Sequence, residues 1–225
     1  MKVEFLIVWV LFIGALIFLS FFFTKRVKQN KLIRQKLADE YEEKKRKYKY
    51  LREGILDECP REDILTAAII HCMRKEDEDF DNYFDKMNES EKDIYGIYQL
   101  TLTLQGQGAS LHSFFLSPST KLFVPIVDRM FNDVGAYELA DLVKAARRFA
   151  EIIENDEDDE DDEEMGVYSR YNFSDFTNEF LTLASTTNLS EKMTDFIIEH
   201  KEDFYDHDID ETNEEEVEDN EGTSN

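Results

Sequence analysis

Basic side chains are scarce: 26 Lys and Arg stand against 51 Asp and Glu in 225 residues, a formal charge of −25. That deficit excludes most nucleic-acid binding, because phosphate contacts need a basic face that releases counterions. Cysteine is sparse too. Cys59 and Cys72 are too few for a disulfide scaffold, lack zinc-site spacing, and as reduced thiols fit a cytosolic compartment. His71, His112, His200 and His207 are scattered and form no two-histidine metal pattern, and the eight glycines spell no phosphate-cradling loop. Alternating stretches such as TLTLQ are too few for a sheet. Yet 42% of the residues are hydrophobic and 13% aromatic, which excludes a wholly disordered chain. The length suits one medium domain with appendages.

The charge is unevenly placed. Residues 1–61 carry a net +6, whereas residues 62–225 carry a net −31. Within the first part, residues 5–23 read FLIVWVLFIGALIFLSFFF, nineteen residues without a charge. At 1.5 Å rise each they span about 28 Å, the hydrocarbon thickness of a bilayer. A cleaved secretory signal is the rival reading. Its apolar region is shorter, roughly 7 to 15 residues, and a small-residue cleavage site follows it. Here three phenylalanines run straight into TKRVKQNK, so the pattern favours an uncleaved transmembrane anchor. Lys2 alone precedes the run, while Lys25, Arg26, Lys28, Lys31, Arg34 and Lys36 follow it. The positive-inside rule then leaves residues 1–4 outside and the body in the cytoplasm of a bacterial inner membrane.

Residues 24–56 form the expected basic juxtamembrane helix. No Gly or Pro interrupts residues 24–52, and Glu40/Lys44, Glu42/Arg46 and Glu43/Lys47 are favourable i,i+4 pairs. Leu37, Tyr41, Lys44, Tyr48, Leu51 and Ile55 keep coiled-coil spacing over less than three heptads. Both a solvated spacer and a dimerising neck, giving a homodimer, fit that pattern. The basic residues also suit the headgroups of an anionic lipid bilayer.

Residues 57–207 read as one all-α, compact multi-helix domain. Pro60 is placed to begin a helix through Ile64, Ala68 and Cys72. Phe80, Tyr83, Phe84 and Met87 make an amphipathic stripe. Ser90 is the expected cap of a helix through Ile94 and Leu102, stopped at Gly106 and Gly108. Leu111 to Leu116 form an aromatic turn. Helices are expected over residues 120–132 and 136–154, from Asn172 or Ser174 onward, and from Ser190 onward. The acidic loop at residues 154–167 and the tail at 208–225 cannot be core. Glu154 to Glu164 holds ten acids in eleven residues, and self-repulsion predicts disorder in both segments.

Several ordered landmarks carry a family resemblance over residues 91–204. The stretch IYGIYQLTLTLQGQGASLHSFFLSPS, then DVGAYELADLVKAA, then FSDFTNEFL and LSEKMTDFIIEHKEDF resemble the DNA-mimic protein family of small acidic helical domains. The resemblance implies an all-helical fold. In the family's namesake, an acidic dimer surface imitates duplex phosphates and captures a DNA-binding regulator. The family has no active-site residues to carry over.

The chemistry points the same way. A run such as ENDEDDEDDEE gives no carboxyl the burial or fixed neighbour that acid–base work needs, and it lacks the central glycine and ligand spacing of a calcium loop. Weak divalent binding and plain solvation both remain open for it. His71 reads as a satisfied structural histidine and neither cysteine as a nucleophile, so the expectation is a non-enzyme with no cofactor and no metal site. Phe114, Phe115, Phe123, Phe131, Tyr168, Tyr171, Phe173 and Phe176 suit a core better than a groove. The partner-binding candidates are Asp156, Glu157, Asp158, Asp159, Glu160, Asp161, Asp162, Glu163 and Glu164, offered to a basic protein and not to nucleic acid. The alternative is a structural membrane-associated component that binds through an apolar groove or the neck, with the acid runs serving solubility.

The topology is testable on intact cells. A cysteine introduced into the body is expected to resist a membrane-impermeant maleimide until the cells are lysed; labelling from outside would overturn the orientation.

Overall fold

A computed structural model describes residues 31–106, 109–156 and 173–206. The chain divides into two units, Met1–Lys47 and Tyr48–Asn225. In the first, residues 31–47 form helix α1, with Lys44 3.3 Å from Glu40 in one of the expected i,i+4 pairs. Leu32, Ile33, Leu37 and Tyr41 are exposed along it. The apolar run at residues 5–23 lies outside the described residues. Among those described, no helix is long and apolar enough to cross a membrane.

The second unit is a multi-helix domain: α2 (Arg61–Glu78), α3 (Tyr83–Lys86), α4 (Glu89–Thr103), α5 (Leu111–Leu116), α6 (Val127–Asp133), α7 (Tyr137–Asp156), α8 (Phe173–Thr186) and α9 (Leu189–Glu199). Single 3-10 turns at Val124–Ile126 and Lys201–Phe204 precede α6 and follow α9. No strand occurs among the described residues. The expected all-α class therefore holds for them.

Helix α4 is the hub. It packs on α2, α5, α6 and the closing 3-10 turn, while α7 lies against α5, α6 and α8. Ile94, Tyr95, Gly96, Ile97 and Leu100 of α4 are all buried. They share one core with Phe114, Phe123 and Phe131, each with no exposed surface, and each such ring contributes about 1.5–3 kcal/mol by leaving water. Phe115 and Phe176 are buried as well and Phe173 is half-buried. The aromatic set is thus mainly core, with Tyr168 and Tyr171 outside the described residues.

Several expected boundaries move, each for a local reason. The helix expected through Arg52 ends at Lys47, because Tyr48 and Leu51 are buried in the second unit. Tyr48 Oη donates to Asp63 at 3.4 Å and accepts from the Cys59 thiol at 3.3 Å. Tertiary burial here overrides helix propensity, and the spacing from Leu37 to Ile55 is not one helical seam. Pro60 caps α2 without being its first residue. The stripe from Phe80 to Met87 shrinks to four helical residues, with Tyr83 and Met87 buried and Phe80 67% exposed. Asn88, and not Ser90, caps α4: its side chain accepts from Glu91 N–H while Glu91 bonds back to the Asn88 N–H, a reciprocal capping box. Ser90 instead donates to Asp203 at 2.5 Å. The aromatic turn is a short helix capped by Ser110. Pro125, which cannot donate an amide, breaks the helix expected over residues 120–132 into a 3-10 turn and α6. Asn188, in the left-handed region at φ 51°, precedes α9, which starts at Leu189, one residue before the expected Ser190.

Two of the glycines that geometry requires shape the packing of α4, α6 and α7. Gly135, at φ 71°, turns α6 into α7. Gly96 lets α4 approach α6: a Cβ there would stand 2.8 Å from Phe123 Cδ1 and closer still to Met130 Sδ. Overpacking costs about 1–3 kcal/mol, against a helix-propensity gain near 1 kcal/mol. Gly96→Ala is therefore expected to lower stability by about 1 kcal/mol in chemical denaturation, and a stabilised variant would refute the close packing.

Candidate interaction surface

Many of the domain's described cations are drawn into ion pairs. Arg61 reaches Glu191 and Asp195 at 2.8 and 2.5 Å, linking α2 to α9. Arg129 of α6 pairs with Glu89, Asp93 and Asp133. Lys144 and Arg147 of α7 share Asp128, and Lys201 holds Asp57 at 2.5 Å. The surplus carboxylates face outward. Glu53, Glu58, Glu62, Asp77, Asp81 and Asp85 are exposed around α2 and α3, as are Glu138 and Asp141 on α7 and Asp175 and Glu179 on α8. Asp175 and Glu179 are a like-charge i,i+4 pair, an arrangement unfavourable to the helix itself.

The nominated acidic run is only touched by the described residues. Asp156 is the last residue of α7, and Glu157 to Glu164 lie outside the described residues. The described surface adds acidic positions that the sequence reading did not single out.

Beneath that surface lies a buried polar cluster. His71 is fully buried, with Nε2 2.7 Å from Glu91 Oε1 and Nδ1 3.4 Å from Asp206 Oδ2. The first is a good hydrogen bond; the second is ion-pair range only, and Nδ1 has no hydrogen-bond partner. Lys75 donates to both Glu91 oxygens at 2.7 and 2.8 Å. Arg74 donates to Asp206 and to Glu78, each at 2.7 Å. Burial works against the Glu91 and Asp206 carboxylates, but His71 and the adjacent cations hold both below the usual carboxylate range. The neighbouring Cys72 thiol is pushed well up by burial and by Glu91, which denies it the thiolate character of a nucleophile. The imidazole is engaged structurally, as its place on an apolar helix suggested, though its partners were not foreseen.

A second buried acid, Asp93, is pushed up to about 7 by burial, against the pull of Arg129 and with Asp133 adding to the rise. His112 stacks on Phe173 at 4.4 Å, capping the aromatic cluster of Phe115, Phe149 and Phe176. No group of three or more His, Cys, Asp or Glu among the described residues is arranged to hold a metal ion.

Residues 85–200 match the family model described as DMP19-like protein, just over half of the 225 residues. The chain belongs to the DMP19-like protein family. The resemblance to a DNA-mimic family thus holds at family level. No curated protein and no solved structure matches the chain. The DMP19-like span runs from α3 through α9, so it contains Glu91, Asp93 and Arg129. His71, Arg74, Lys75 and Asp206 lie beyond its two ends. Glu91 had a legible sign in the Asn88-x-x-Glu91 capping pattern. Asp206 had none, since it sits in an acidic stretch indistinguishable from its neighbours.

Replacing Glu91 by Gln keeps the shape but leaves His71 and Lys75 uncompensated. Removing one partner of a buried ion pair costs about 3–5 kcal/mol, and Glu91→Gln is expected to show a loss of that order by urea denaturation. A loss below about 1 kcal/mol, the scale of an exposed pair, would mean that the cluster is open to water.

Proposed function

We propose that this DMP19-like protein is a membrane-anchored, cytosolic interaction module, and not an enzyme. It offers carboxylates in place of nucleic-acid phosphates to a basic, DNA-binding protein. One observation carries the reading: many of the domain's described cations, Arg61, Arg129 and Arg147 among them, are engaged in ion pairs while surplus carboxylates project outward from α2, α3, α7 and α8. Such a surface attracts a basic partner from a distance and speeds encounter. Family membership supports the same class of partner. The anchor at residues 5–23 and the basic flank behind it support a bacterial inner-membrane location with the body in the cytoplasm. Asp156 at the end of α7 and Glu157 to Glu164 after it in the sequence add further negative charge.

A second reading has one observation in its favour. Leu32, Ile33, Leu37 and Tyr41 are exposed along α1, and Ile33, Leu37 and Tyr41 recur every four residues on one side. In that reading the neck is the binding element, through a homodimer or another membrane component, and the acid runs serve solubility.

Salt and a deletion separate the two. Crosslinked pull-down from membranes is expected to recover basic proteins whose yield falls on the order of tenfold between about 50 and 200 mM salt. Removing residues 154–164 is expected to weaken capture further. A partner set that is not basic, or that ignores both salt and the deletion, would remove the mimicry and leave the neck.

A further inference from the structure

The first and last described stretches of the second unit close on each other at His71. Leu51 N–H donates to Asp206 Oδ2 at 3.0 Å and Leu51 C=O accepts from Asp206 N–H at 2.8 Å. Arg74, which holds the other Asp206 oxygen, also lies over the Tyr50 ring at 4.7 Å. Lys201 pairs with Asp57, so residues 50–57 and 201–206 are joined at several points. These stretches lie outside the family-matched span.

We propose that His71 is a proton-dependent clasp: carrying protons on both ring nitrogens it holds Asp206, and through it Leu51, against α2 and α4, and losing one proton releases that end of the domain. Nε2 is hydrogen-bonded to Glu91 and Nδ1 lies in ion-pair range of Asp206, so each nitrogen faces a carboxylate oxygen and the doubly protonated ring suits both. A neutral imidazole has a single N–H. Whichever tautomer forms, one carboxylate then confronts a lone pair in a buried site. The Glu91 contact is the shorter, and Glu91 is further held by Lys75 and by the Asn88 amide. Arg74 and Leu51 also hold Asp206, but its contact with the ring is the longer and is no hydrogen bond, so Asp206 is the side that lets go.

The groups facing the ring come from every element packed on it. They are Cys72, Arg74 and Lys75 from α2, Glu91 from α4 and Asp206 after the last 3-10 turn. With Glu78 on Arg74, three cations balance three anions only while His71 is charged. Burial opposes the charged ring, but the Asp206 and Glu91 carboxylates outweigh it and raise the pKa of His71. Its contribution is thus fully present below the unfolded value of about 6.5 and lost as pH rises through the higher folded value. Glu91 and Asp206 act oppositely: their contributions are present above about 4 and lost as pH falls through their depressed folded values. The clasp closes between these limits and opens on the alkaline side by way of His71.

Nitrogen NMR of the full-length chain in nanodiscs tests this. Both ring nitrogens of His71 are expected to be protonated at neutral pH, with a midpoint above about 6.5. Amide-exchange protection at Leu51, corrected for the intrinsic pH dependence of exchange, is expected to fall about tenfold or more across that midpoint. Protection in α6 and α7 should hold. Asp206→Asn, which retains an acceptor for Leu51, is expected to lower the His71 midpoint and abolish the step. A singly protonated His71 at neutral pH, or a Leu51 protection that ignores the midpoint, overturns the proposal. Because the unmodified chain is titrated, the result does not depend on a His71 variant folding. It is also independent of what the acidic surface captures.

Discussion

The structure depends on one buried anion. Glu91 has no exposed surface, yet it closes the capping box of α4, accepts from Lys75 and meets His71. An isolated carboxylate in an apolar interior costs many kcal/mol, and it is tolerated only with full compensation. The compensation fixes register. The Lys75 and His71 contacts set where α2 crosses α4, and the capping box sets where α4 begins. Leu, Ile and Phe contacts along the same helices supply most of the driving force, but they would permit neighbouring registers that this charge set does not.

The same economy shapes the outside. Positive charge is scarce, and the fold uses it to tie elements together: Arg61 between α2 and α9, Arg129 between α4 and α6, Lys201 onto Asp57. The exposed pairs among them, Arg61 with Asp195 and Lys201 with Asp57, add little stability each. Their larger consequence is electrostatic, because a paired cation no longer offsets its neighbourhood. Carboxylates beyond the pairs, such as Glu138, Asp141, Asp175 and Glu179, then set the sign of the field. A strongly negative surface destabilises a compact state through self-repulsion. The domain carries that cost on a core of interlocked aromatic rings around Phe123, Tyr95 and Tyr83.

Much of this was legible from residue patterns. The periodicity from Ile94 to Leu102 and the Gly135–Ala136 joint identified helices within a residue or two of their observed ends, although Leu102 itself is exposed and Leu100 is the buried residue of that turn. What failed were caps and breaks decided by side chains competing for the same backbone. Asn88 and Ser90 are both good caps by type, and only the position of Asp203, which engages Ser90, settles between them. Tyr48 and Leu51 continued a helical pattern because burial in another part of the chain leaves no local mark. The surface was legible as composition but not as arrangement, since net charge does not say which carboxylates are paired. His71, read as a satisfied structural histidine, is buried and bonded to Glu91 but leaves Nδ1 without a hydrogen bond. Asp206, 135 residues further along the sequence, carries no periodic signal that would connect the two.

The residues around Glu91 also explain why the domain extends past the matched DMP19-like span. Within residues 85–200, Glu91 would be an N3 carboxylate of a capping box, a position normally open to water and needing no buried partner. Helix α2 covers it, and covering a carboxylate demands cations from the covering element. Lys75 and His71 meet that demand. His71 in turn is buried with a second nitrogen to satisfy, which only an acceptor from elsewhere can do. Asp206 sets a carboxylate oxygen 3.4 Å from that nitrogen, in ion-pair range, and it brings Leu51 with it. The flanking segments therefore form a chain of requirements, each created by the burial of the group before it.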